Sequence, residues 1–186
     1  MNMEQNVIQK NMWNTAGKAG LVLGLASAAY LFISQGVTQI QMPTFAVSIL
    51  SFALWAVKFV GCIWLMKFFM KKFATENEIK NNSHTFKFGM LTALLSALVY
   101  AAISFANVAF ISPDLFAEQM DTVMQQMAPM MDSNTMSVLE KYQNNLAQIT
   151  FFSNLIYCFL YGIILSFILS RNIPGKDPFA DYKPAE

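Results

Sequence analysis

Charge is scarce in this chain, and histidine and cysteine are scarcer still: 186 residues hold 12 Lys plus Arg, 11 Asp plus Glu, one His and two Cys. A net charge of +1 offers no basic field, so no nucleic-acid partner is expected. The lone His84 has no Cys or carboxylate at ligand spacing and reads as an exposed loop residue, so neither a metal nor any other cofactor is expected. Cys62 and Cys158 lie in apolar stretches, where a thiol behaves as a small buried hydrophobe. Counted from the ends of those stretches they fall at different depths, which argues against a disulfide. Also missing are an HExxH pattern, a Gly-rich phosphate loop beside a strand, a nucleophile with an adjacent base, and any acidic residue within the apolar stretches. Without these arrangements no enzyme is expected.

What the chain has in excess is apolar surface. Hydrophobic residues make up 55% and the mean hydropathy is +0.41, outside the range of ordinary soluble domains. Four stretches carry the excess, at 19–35, 45–66, 88–111 and 149–170. Each is near the ~20 residues that cross a ~30 Å hydrocarbon core. Backbone groups in lipid must be satisfied within the segment, so each stretch is expected to be a helix. The expected fold is all-α, a four-helix integral membrane bundle forming one membrane domain over 1–186, with an outer helical insertion at 112–148 and a polar tail at 171–186. Ala26-Ser27-Ala28 resembles a signal-peptide cleavage site. The long polar leader and the apolar run continuing through Ile33 argue against cleavage.

The basic residues sort by side. Lys10 and Lys18 precede the first stretch, Lys67, Lys71, Lys72, Lys80 and Lys87 join the second to the third, and Arg171, Lys176 and Lys183 follow the fourth. The other two connections hold only Lys141. The positive-inside rule then puts both termini in the cytoplasm and the long insertion outside.

Small residues recur every fourth position in two stretches: Ala16, Gly20, Gly24 and Ala28 in the first, Gly89, Ala93, Ala97 and Ala101 in the third. Positions four apart share a helix face, and small faces let backbones approach in lipid. The two helices are expected to pack on each other or on further copies. The stretches also match in detail: Lys18-x-Gly20 with Ser27 parallels Lys87-x-Gly89 with Ser96, and a one-residue offset aligns Tyr30 with Tyr100 and Ser34 with Ser104. Two hairpins from a duplication would produce this, with the stripes forming the seam between them.

One charge lies inside a stretch. Lys58 sits between Trp55 and Phe59, nine residues or about 13 Å from Lys67. A central lysine costs about 2.5–3.5 kcal/mol on insertion scales, which half a dozen large apolar residues offset. Such a group marks either a site facing the bundle interior or a stem that snorkels toward headgroups. By depth its expected companions are Ser27, Ser96, Tyr100 and Tyr161.

The insertion reads as two helices. Ser112-Pro113 supplies a start, Phe116, Met120, Met124, Met127 and Met131 follow at helical spacing, and Pro129 breaks the run. A second helix is expected from Asp132 or Ser133. The pair would lie on the outer membrane surface or cap the bundle mouth. Met124, Met127 and Met130 have the spacing of a Cu(I) thioether site. A methionine stripe is ordinarily adaptable packing surface, and no copper is expected.

From Thr85-Phe86-Lys87-Phe88-Gly89 through Ile111-Ser112-Pro113-Asp114 to Ser170-Arg171-Asn172-Ile173 and Lys176-Asp177-Pro178-Phe179, the chain resembles the domain of unknown function 4199 family of bacterial membrane proteins. The resemblance implies a four-span inner-membrane protein with an outer insertion, and it supplies no activity or catalytic residues. The leading expectation is a structural or accessory protein, surrounded by membrane lipids, whose small-residue faces (Gly20, Gly24, Ala28, Gly89, Ala93, Ala97) associate with a second copy or a membrane-protein partner. The second is a small transporter or channel using Lys58 as an anion or lipid-headgroup site.

Overall fold

The structure, a computed structural model, describes residues 3–40, 43–79, 81–127, 129 and 132–173. Among these there are six α-helices and no strand: α1 Met3–Gln39, α2 Thr44–Glu76, α3 Asn82–Ala106, α4 Pro113–Met127, α5 Ser133–Asn144 and α6 Leu146–Ser170. Four segments are long and apolar enough to cross a membrane: Gln9–Val37, Phe45–Glu76, Asn82–Ile111 and Leu146–Ser170. The chain is an all-α, multi-pass membrane protein. Lys80, Met130, Met131 and the tail with Lys176 and Lys183 lie outside the described residues.

Local chemistry sets the helix ends. Pro43 starts α2, its carbonyl accepting from the amides of Ala46 and Val47 at 2.9 and 3.2 Å. Asn81 caps α3 by accepting from the Ser83 amide at 2.9 Å, and Asp132 caps α5 by accepting from the Thr135 amide at 2.9 Å. Pro113 is the first residue of α4, where its missing N–H is harmless. Between α3 and α4 the chain makes a π-helical turn, Asn107–Ile111, in which the Ser112 amide reaches back to the Asn107 carbonyl at 2.8 Å. The polar leader is helical and continuous with the first span from Met3, and only Asn145 separates α5 from α6, so the second insertion helix runs almost directly into the fourth span.

α3 is the central element, packed most extensively on α6, next on α1, and lightly on α2. Glycine sets these distances. A Cβ on Gly20 would stand 2.7 Å from the Leu95 Cβ, and one on Gly24 would stand 2.7 Å from the Val99 Cβ. One on Gly89 would stand 2.8 Å from the Ser166 Cβ, and one on Gly162 would run into the Ala93 Cβ. Register rises together between α1 and α3, so they are parallel. It runs oppositely between α3 and α6, so they are antiparallel.

The expected seam of stripe against stripe is therefore not what forms. The α1 stripe seats on the Leu95, Ser96 and Val99 side of α3, while the α3 stripe turns to Gly162 and Ser166 of α6. A helix with two major neighbours needs two contact faces, and only one of them can be its small-residue stripe. Ala28, Ala93, Ala97 and Ala101 are buried with Gly20, Gly24 and Gly89, all within the one chain.

The densest packing lies at the end bearing Lys67, Lys71, Lys72, Lys87 and Arg171, called here the basic end. There Ala16, Ala19 and Leu23 of α1 meet Met66, Met70 and Phe73 of α2 and Phe88 of α3, with Ile79 and Ile173 closing the cluster. The Phe73 and Phe88 rings stack at 4.2 Å and 4°. Asn11 donates to Asn77 at 2.6 Å, and Asn82 to the Arg171 carbonyl at 3.3 Å, tying the loops together.

Candidate functional site: a cavity around Lys58

Above the basic-end core α2 leaves a gap beside its neighbours. The result is a cavity of about 180 Å³, framed by Leu23 and Ser27 of α1, Trp55, Lys58, Phe59, Cys62 and Met66 of α2, Ala93, Ser96, Ala97 and Tyr100 of α3, and Tyr157, Cys158, Tyr161, Gly162 and Leu165 of α6. Lys58, Ser27, Ser96, Tyr100 and Tyr161, named from the sequence by depth, all line it.

The ammonium of Lys58 lies over two rings, 4.6 Å from the centroid of Tyr30 and 5.0 Å from that of Tyr100. These are the two tyrosines that align between the first and third spans, and here they converge from parallel helices. The side chain does not snorkel toward the basic end. Each cation–π contact is worth about 0.5–2 kcal/mol, against an insertion cost of about 2.5–3.5 kcal/mol. The rings thus offset much of that cost, but a π face accepts no conventional hydrogen bond, and an ammonium carries three donors. Among the described residues no hydrogen bond and no ion pair reaches it; the one ion pair there is Lys72–Glu76, at 3.8 Å on the surface.

The surrounding polar groups are incompletely used. Ser27 Oγ and Cys62 Sγ are 3.8 Å apart. The Tyr161 hydroxyl is buried without a partner, and its ring packs 5.8 Å from Phe59. Beyond the cavity, Thr85, Thr92 and Asn107 also bury unpartnered side-chain atoms. Both thiols are free and line the same cavity, which corrects the expectation of different depths. The apolar stretches end unequally, but Cys62 and Cys158 stand at similar counts from the true helix ends, Glu76 and Ser170. Among the described residues no three His, Cys, Asp or Glu gather as a metal group. Met130, one member of the thioether pattern, is not described.

Reading the sequence by depth missed Tyr30, Trp55, Tyr157 and Gly162. Tyr30 was already matched to Tyr100, and Gly162 belongs to a four-residue series, Cys158, Gly162, Ser166 and Ser170, like the two stripes that were noticed. Ser166 reinforces that face by donating to the Gly162 carbonyl at 2.6 Å.

No curated protein and no solved structure matches this chain. A family model does, over residues 18–171, which takes in all four spans and the insertion, and the chain belongs to that family, the protein of unknown function family DUF4199.

Proposed function

We propose that this protein binds an anionic group within the bilayer, as a small transporter or carrier whose binding residue is Lys58. The carrying observation is the ammonium itself, held over Tyr30 and Tyr100 on a cavity wall where, among the described residues, no hydrogen bond or ion pair meets its donors. Ser27, Ser96 and Tyr161 are the hydroxyl groups that would complete an anion's coordination. Binding and passage need no covalent chemistry, which agrees with the missing catalytic patterns. The lysine distribution supports a bacterial inner-membrane orientation with both termini cytoplasmic.

A purely structural role that relies on the small-residue faces has less support, since those faces are buried within the single chain. The test is to purify the wild type and Lys58→Leu from native membranes and measure every bound small molecule by mass. An anionic species held by the wild type and lost from a well-folded Lys58→Leu is the expected result. Identical bound species in both proteins would overturn the proposal.

A further inference from the structure

The cavity's open side indicates where an anion would come from. Toward the basic end the cavity is sealed: Met66 forms the wall at 3% exposure, and behind it Met70, Phe73 and Phe88 are fully buried. Toward the bilayer it is not. Trp55 of α2 and Tyr157 of α6 both line it, yet they are 50% and 70% exposed, and α2 touches α6 only lightly. Both lie within the apolar spans Phe45–Glu76 and Leu146–Ser170, so this side meets acyl chains and not water.

Charge then selects the headgroup. Among the described residues Lys58 is the one basic residue on the wall. A monoanion is neutralised there, whereas a dianion leaves net charge in a low dielectric. Volume selects the rest. About 180 Å³ lies beside Lys58 within the bundle, enough for a compact headgroup such as a carboxylate and the first carbons of one chain, with the rest of the ligand outside in the bilayer.

We propose, resting on the anion-binding reading above, that the ligand is a single-chain carboxylate amphiphile of the fatty-acid class. Its carboxylate sits on Lys58 and its chain leaves sideways between α2 and α6, past Trp55 and Tyr157. Tyr161, on the same wall and with an unpartnered hydroxyl, is a donor available to the second carboxylate oxygen.

The experiment uses the full chain in nanodiscs, with Trp13→Phe and Trp64→Phe so that Trp55 is the remaining tryptophan. The probe is a stearic acid with a nitroxide on a carbon near its carboxyl, and its methyl ester is the uncharged control. Saturable quenching by the acid is expected, displaced by unlabelled stearate and not by acetate or inorganic phosphate. The ester should show only the unsaturable quenching of partition. Lys58→Met should weaken acid binding at least about tenfold, the loss of a charge-assisted contact, while Lys58→Arg retains it. Equal quenching by acid and ester, or unchanged acid binding in Lys58→Met, overturns the amphiphile. If phosphate or acetate instead binds in a Lys58-dependent way, the amphiphile fails and the anion-binding reading stands. If no anion binds, both fall.

Discussion

At the basic end Phe73 and Phe88 stack at 4.2 Å with Met66 and Met70 against them, while farther along the same two helices a cavity of about 180 Å³ separates Lys58 from the Ala93–Ala97 face. The first region is built from large residues that fill space between α2 and α3. In the second, small residues on α3 and α6 bring those two helices together and leave α2 at a distance. Close contact between α3 and α6 and open space beside α2 are two results of one choice of side chain. In lipid, where the hydrophobic effect gives no preference between a helix and a lipid tail, this geometry decides which helices touch. On the proposed reading, the contrast puts stability at the basic end and binding in the middle.

Breaking the first region should have the largest effect. Phe88 is fully buried and stacked, so Phe88→Ala is expected to cost about 3–5 kcal/mol, read as a large fall in Tm in detergent. An unchanged Tm would mean that the basic-end core is not the stabilising region. Next come the glycine seams. Gly24→Ile forces a side chain where even a Cβ meets Val99 at 2.7 Å, and overpacking of this kind costs about 1–3 kcal/mol or more. Gly17 on the same helix has nothing within 4 Å of an added Cβ, so Gly17→Ala should stabilise by about 0.5–1 kcal/mol. Opposite signs at these two positions are the sharp result, and equal effects would deny the close approach of α1 to α3.

A substitution in the second region is expected to act the other way. Lys58→Leu removes an insertion cost of about 2.5–3.5 kcal/mol together with two cation–π contacts of about 0.5–2 kcal/mol each. The two terms nearly cancel, so the Tm should change little in either direction while anion binding is lost. Stability and binding would then separate at one residue, as expected where a site holds a group the fold does not need. A large fall in Tm would instead make Lys58 part of the core.

The span count and the helical class were legible because apolar length is a one-dimensional property. The company of Lys58 was partly legible for the same reason, since depth along a helix can be counted, and Ser27, Ser96, Tyr100 and Tyr161 share its cavity. Rotation about the helix axis cannot be counted that way. Tyr30 reaches Lys58 from α1, and the α3 stripe faces α6 instead of α1, because α3 has two major neighbours and its sequence does not say which takes which face. Cys62 and Cys158 were misjudged because an apolar stretch stops where lysines begin, while α2 continues through Lys67, Lys71 and Lys72 to Glu76.

The smallest expected effect lies outside both regions, in the insertion, and it separates them from the membrane surface. Asp132 caps α5, and hydrogen bonds from Thr135, side chain first and backbone amide second, hold its carboxyl below the usual carboxylate range. A depressed folded pKa means that the cap's contribution is present above the unfolded value, about 3.9, and is lost as pH falls through the lower folded value. Protection of the first α5 amides from hydrogen exchange should therefore hold at neutral pH and decline only in strong acid, and Asp132→Ala should lose it at every pH. Because α4 has no fully buried residue and α5 packs only lightly, on α4 and α6, neither change should move the Tm of the spans or binding at Lys58. If acid loosening of α5 did weaken anion binding, the insertion would be coupled to the cavity, and the division between a stable basic end and a binding middle would have to include a third part.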